Sequence, residues 1–278
     1  MPPRPVPRRR PRRRALAGLR ALVTGGSSGV GAAVARALAA RGVRVLATAR
    51  RADRLAELAA ASGDPPILFE AGDITDPGFR ARLVAAAASR LGGLDVLVAA
   101  AGSGAIGPFR EATPETLERV MDLDFTAPAE LVRICLPALA AGRDPAIVLV
   151  GSILGRHPLP LHGEYCAAKA ALASLAGTLR VELGPAGIDV LLASLGPTES
   201  EFWDNLITGR RPAWSRGWRM PAEQAAAAIV GGLQRRQGEI LPGWQARGYA
   251  LAARLMPWAI DAAAARRLGG TGTQDGQA

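Results

Sequence analysis

Short, nearly unbroken apolar runs recur along the chain, and all but the last lead into longer stretches with helical spacing. LRALVT, VRVLATA, PILFEA, LDVLVAA, AIVLVGS, IDVLLAS and GEIL are the runs, the first beginning near residue 19. A strand that is apolar on both faces must be covered on both, which is the situation inside a parallel sheet flanked by helices. Right-handed crossovers between such strands make the sheet doubly wound. The pattern therefore predicts one α/β domain over residues 15–267, with no internal repeat and no second core. Hydrophobic residues make up 49% of the 278, ample for that core. No apolar run approaches the roughly 20 residues of a membrane span.

The first run enters the turn Thr24-Gly25-Gly26-Ser27-Ser28-Gly29-Val30-Gly31, and GVGAAVARALAARG continues as a helix. Glycines let a backbone turn tightly and approach a pyrophosphate closely. The N–H groups at the start of the following helix offer it partial positive charge. A glycine-rich turn alone is common; between the first strand and first helix of an α/β sheet it points to a dinucleotide.

A second group lies far along the chain. Ser152 ends the run AIVLVGS, Tyr165 follows thirteen residues later, and Lys169 stands four beyond Tyr165 on a predicted helix from about 163 to 184. The four-residue spacing puts the phenol and the ammonium on one helical face. Lys169 is the one lysine among 34 lysines and arginines, and Tyr165 is one of two tyrosines. Arginine supplies surface charge everywhere else, so a compact ammonium at this position has a specific use. A free phenol titrates near pH 10. A neighbouring ammonium and the positive ring of a bound dinucleotide favour phenolate, and together they are expected to lower the Tyr165 pKa toward useful acid/base range. The plainer alternative is a buried Tyr, a Lys with its amine at the surface and a strand-end Ser with no joint role.

TGGSSGVG in this place, with Ser152, Tyr165 and Lys169 at these spacings, resembles the short-chain dehydrogenase/reductase family over residues 19–202, and more loosely to about 267. The resemblance implies a Rossmann-like fold and an NAD(P)-dependent oxidoreductase interconverting CH–OH and C=O. It implies that Gly25, Ser27, Ser28, Gly29, Val30 and Gly31 cradle the cofactor, that Asp73 and Ile74 meet its adenine, and that Ala100 and Gly102 offer it backbone. Tyr165 becomes the general acid/base, Lys169 also holds the nicotinamide ribose, and Ser152 positions the substrate oxygen. The second run ends at Ala49 followed by Arg50 and Arg51, with no acid to bind a ribose 2′-hydroxyl; this favours NADP over NAD, with Arg50 at the phosphate. Two solvated arginines at a helix start are the alternative.

Three places depart from the family pattern. AAAG at 99–102 stands for N-N-A-G. Asp124 stands for the usual catalytic Asn; it is expected to pair with Lys169 and weaken its pull on Tyr165, since an ionised carboxylate accepts hydrogen bonds and donates none. LGPTES places Leu195 for the usual Pro and Ser200 for Thr, keeping Gly196, Thr198 and the Ser200 hydroxyl for the carboxamide.

Residues 197–221 are expected to form a lid, and its Trp203, Trp214, Trp218 and Met220 suit an apolar carbonyl or alcohol substrate. His157 and His162, on the loop before Tyr165, are read as surface residues, with contact to the substrate as the alternative. The stretch 249–268 is expected to be one amphipathic helix, docking on the domain, a partner subunit or a membrane surface. The helices of 114–141 and 163–184 resemble those that pair family members into homodimers or homotetramers. Seven arginines and five prolines fill residues 1–14, which read as a disordered arm capable only of non-specific nucleic-acid contact. Residues 268–278 read as a flexible tail. Cys135 and Cys166 form neither a disulfide framework nor a zinc motif, no metal site is expected, and two free thiols fit a reducing cytoplasm. The rival reading is a non-catalytic NADP-binding regulator of the same fold, which Asp124 and AAAG favour.

Overall fold

The computed structural model describes residues 13–212, 217 and 219–269. Its strands are β1 (Arg20–Thr24), β2 (Arg44–Ala49), β3 (Leu68–Ala71), β4 (Val96–Ala99), β5 (Ala146–Ser152), β6 (Asp189–Leu195) and β7 (Glu239–Ile240). All pair in parallel, in the order β3-β2-β1-β4-β5-β6-β7. The chain thus winds outward one way from β1, then returns to β4 and winds the other way, leaving a crevice at the carboxyl ends of β1 and β4.

Alternate residues of each strand feed two cores. On one face Val23 and Val45 pack with Val34 and Leu38 of α1 (Gly29–Ala39), Leu55 of α2 (Ala52–Ala60) and Ile229 of α7 (Ala222–Gln234). On the other, Leu22, Leu97 and Leu149 meet Leu83 of α3 (Pro77–Ala86), Leu131 and Leu139 of α5 (Ala127–Ala140) and Leu172 of α6 (Gly163–Leu183). Each such side chain contributes about 1.5–3 kcal/mol by leaving water. The apolar runs are continuous because both faces of the sheet are covered.

At the start of α4 (Pro114–Met121), Thr113 accepts a hydrogen bond from the Thr116 N–H, and Pro114 takes the first helical position, where its missing N–H loses no helical bond. Between α4 and α5 the helix widens into a π-turn over Asp122–Thr126, a distortion that often marks functional positions.

Three expectations need correction. Arg14 does not belong to an arm. It is 2% exposed and donates to the Leu233, Pro145 and Asp144 carbonyls and to Asp189 Oδ2 at 2.7 Å. Its fork finds carboxylates and carbonyls at the amino ends of β5 and β6; the rest of the expected arm, residues 1–12, lies outside the described residues. Second, 249–268 is not one helix. Pro257 ends α8 (Trp244–Leu255) at Met256 and opens α9 (Pro257–Gly269), because a proline cannot donate into the preceding turn. Third, α9 carries residues 268 and 269, so the tail reading applies only to 270–278, outside the described residues. Among the described residues no helix is long and apolar enough to cross a membrane.

Candidate active site

The carboxyl ends of the strands open into a cavity of about 850 Å³. Gly25, Ser27, Ser28, Gly29, Val30 and Gly31 form one wall, with Arg50, Asp73, Ile74, Ala100 and Gly102 beside them. Asp124, Ser152, Tyr165, Lys169, Gly196, Thr198 and Ser200 line the remainder. Every residue that the sequence assigned to the site therefore reaches this one space.

The glycine loop is as tight as its composition suggests. A Cβ on Gly31 would lie 2.2 Å from the Gly25 carbonyl oxygen, and one on Gly25, whose φ is +72°, would lie 2.9 Å from the Ala100 backbone. The Thr24 hydroxyl accepts from the Ala100 and Ala101 N–H groups at 3.0 and 3.1 Å, joining the ends of β1 and β4. Ser28 precedes α1 but does not cap it; its hydroxyl faces Arg51 instead, at 2.9 Å. The first N–H groups of α1 are thus left without a side-chain cap, as an anion-binding helix start requires. Thr48 Oγ1 lines the same cavity, buried and without a partner among the described residues. These features fit a dinucleotide.

At the other end, the π-turn carries Asp124 inward, fully buried, to Lys169. Asp124 Oδ1 stands 2.8 Å from Lys169 Nζ, at angles outside those of a hydrogen bond, so the contact is an ion pair. Oδ2 accepts from the Ser103 N–H at 3.2 Å, and Lys169 donates to the Val150 carbonyl at 3.3 Å. Gly102 is obligatory beside them, since its Cβ would lie 2.5 Å from Asp124 Oδ1. Burial pushes Lys169 down, but the Asp124 and Tyr165 charges outweigh it and hold the ammonium above its ordinary value.

Tyr165 is enclosed by protein yet keeps part of its surface open to the cavity. Ser152 lies close enough to draw the phenol's pKa down, and its own hydroxyl accepts from the Leu154 N–H at 3.1 Å. The predicted lowering of its pKa is not what the protein without cofactor shows. Burial, the largest influence, raises it, and Asp124 adds to that; Lys169 and Ser152 pull it down by less. The sequence reading counted the ammonium and underweighted desolvation.

Other positions differ from expectation. His162 is buried against the Pro160 carbonyl and lines the cavity near Trp203, and His157 faces Asp261 at 3.1 Å; neither is a plain surface residue. The Ser200 hydroxyl accepts from the Phe202 N–H, capping a short turn over Glu201–Trp203. Phe202 meets the Tyr165 ring edge-on at 5.3 Å between centroids. The lid is closed at its base by Thr198 and Met220; Trp214 and Trp218 lie outside the described residues. Glu201, which no spacing rule singles out, reaches Arg51 across the cavity mouth.

A family model described as short chain dehydrogenase matches residues 20–211. The chain belongs to the short-chain dehydrogenase family. A short chain dehydrogenase of Pseudocercospora fijiensis is 35% identical over 193 residues, 67% of this chain and 62% of that protein. An uncharacterized oxidoreductase of Myxococcus xanthus is 32% identical, over 89% of this chain and 96% of the other. A crystal structure of a short-chain dehydrogenase from Streptomyces avermitilis superposes with a TM-score of 0.78 at 29% identity, covering 91% of this chain and 98% of its own. Membership of the short-chain dehydrogenase family makes the chain an oxidoreductase working with a nicotinamide cofactor, NAD or NADP.

Proposed function

We propose that the protein is an NADP-dependent oxidoreductase that interconverts a carbonyl and an alcohol on an apolar substrate, with Tyr165 as general acid/base. The observation that carries this reading is the convergence of Ser152, Tyr165, Lys169 and the glycine loop on one cavity. When bound, the nicotinamide supplies or accepts a hydride. Tyr165 gives a proton to the oxygen in reduction and takes one in oxidation. Ser152 holds that oxygen by a hydrogen bond. Lys169, charged and anchored by Asp124, sets the field at the phenol and offers N–H groups to a ribose.

NADP is favoured by Ala49, which leaves the end of β2 itself without an acid, and by the Arg51 guanidinium gathered against Ser27 and Ser28. Arg50, given the phosphate by the sequence, also borders the cavity but is exposed. An apolar substrate is favoured by Leu154, Leu159, Phe202, Trp203 and Ile260 around the Tyr165 end. The α5 and α6 faces remain the proposed route to a homodimer or homotetramer, on family resemblance alone.

The test is NADPH and NADH consumption against a panel of apolar ketones, aldehydes and quinones. Turnover that prefers NADPH and disappears in Tyr165→Phe is expected. Cofactor binding without turnover across the panel would favour the regulator, a reading that the Asp124–Lys169 pair supports by occupying the ammonium.

A further inference from the structure

Arg51 stands between β2 and α2, and its three guanidinium nitrogens are all engaged elsewhere than the helix start. Nε and Nη2 donate to Ser27 Oγ at 3.3 and 3.0 Å, Nη2 also to Ser28 Oγ at 2.9 Å, and Nη1 to Glu201 Oε2 at 2.6 Å. Glu201 comes from the lid, 150 residues further along the chain. It is held there by the Ser200-capped turn, and Ser200 itself rests on the glycine loop: a Cβ on Gly29 would lie 2.8 Å from that of Ser200. Both charged side chains are 36% exposed, so the pair borders the cavity without being sealed in it. The Glu201 carboxyl is held below its ordinary value, chiefly by Arg51 and further by the Ser28 hydroxyl and Arg54.

A guanidinium offers an anion a fixed set of in-plane N–H donors. Here a carboxylate of the chain already takes Nη1 of Arg51, just past the end of β2, where an acid suits a ribose hydroxyl and an arginine a ribose phosphate. We infer that Glu201 is a selectivity residue: it acts as an internal counter-ion for Arg51, and a 2′-phosphate must displace it, whereas a 2′-hydroxyl need not. This rests on the NADP reading above and adds to it that the preference is held down by the chain itself. Glu201 keeps Arg51 oriented and its charge balanced in the free protein, and the cost of displacing Glu201 falls on NADPH alone.

The test is direct titration of NADPH and NADH into wild type, Glu201→Gln, Arg51→Ala and the double variant, by nicotinamide fluorescence. Glutamine keeps the shape and hydrogen-bonding length of the side chain but not its charge. An exposed ion pair is worth about 0.2–1 kcal/mol, and its loss together with the removed repulsion of phosphate gives Glu201→Gln a Kd for NADPH lower by about fivefold. The Kd for NADH stays within about twofold. Arg51→Ala raises the NADPH Kd by about tenfold, as expected for a lost charge-assisted contact, and in that background the gain from Glu201→Gln shrinks to about twofold or less, the part due to removed repulsion. If Arg51→Ala lowers the NADPH preference but Glu201→Gln leaves the NADPH/NADH ratio unchanged, or weakens NADPH, the selectivity role of Glu201 is overturned while the NADP reading stands. If wild type prefers NADH and Arg51→Ala leaves the ratio unaltered, the NADP reading itself falls, and this inference with it.

Discussion

Asp124 and Lys169 form a buried ion pair, Oδ1 to Nζ 2.8 Å, directly behind the Tyr165 phenol. Each charge is out of water, and each is stable there only because of the other. The ammonium that would draw Tyr165 toward phenolate is therefore shared with a carboxylate that pushes it back.

Replacing Tyr165 by Phe removes the proton donor and leaves the ring contact with Phe202 in place. We expect kcat to fall by about 10²–10⁴-fold, the usual contribution of general acid–base catalysis, with cofactor affinity within about twofold. Steady-state kinetics beside fluorescence titration checks both; near-normal turnover removes Tyr165 from the chemistry.

Asp124→Asn deletes the charge that raises Tyr165 and leaves Lys169 to act on it unopposed. Tyr165 then loses its proton more readily. In the oxidation direction, where the phenolate is the base, activity rises with pH through the Tyr165 pKa, so that limb should move to lower pH, by about one unit. The measurement is the pH profile of kcat/KM with an alcohol substrate. A profile superimposable on wild type means that the pair does not tune the phenol.

A methyl group at residue 102 has nowhere to go. Gly102→Ala places a carbon 2.5 Å from Asp124 Oδ1 and 3.3 Å from Lys169 Nζ, and relieving that overlap separates the pair. Overpacking of this kind costs about 1–3 kcal/mol. We expect a folded protein with a lowered Tm and a kcat down by at least about tenfold; unchanged activity would show that the pair tolerates displacement.

Arg14 lies at the opposite end of the sheet. Arg14→Ala loses several buried hydrogen bonds and leaves Asp144 and Asp189 to Arg236 alone. The carboxylates are a third exposed, so water screens much of the remaining charge. The expected loss is about 2–3 kcal/mol, or a Tm lower by about 5 °C, with kcat unaltered at low temperature. Calorimetry and an assay of the same sample decide it.

The strands were legible because burial on both faces makes them apolar throughout, and Ser152, Tyr165 and Lys169 because helix and strand geometry give their spacing meaning. Arg14 was not legible. By composition it is one more arginine in a basic run, and its partners lie 130 to 219 residues away. Glu201 was hidden for the same reason, since ion pairs at that separation leave no periodic trace. The break at Pro257 was visible in the sequence, and the apolar periodicity around it was given too much weight. The direction of the Tyr165 shift depends on how much protein surrounds the ring, a quantity that only the packed structure holds.

One consequence follows from where the single lysine sits. Every other lysine-or-arginine position is a guanidinium, inert to reagents that acylate or condense with amines under mild conditions. Among the side chains of this sequence such a reagent finds one amine, 5% exposed and reached through the cavity that holds Tyr165. The extent of labelling at Lys169, read from the mass of the peptide that carries it so that a terminal amine does not contribute, reports on access to the reaction centre, and protection by an added nucleotide or substrate can be followed on the unmutated protein.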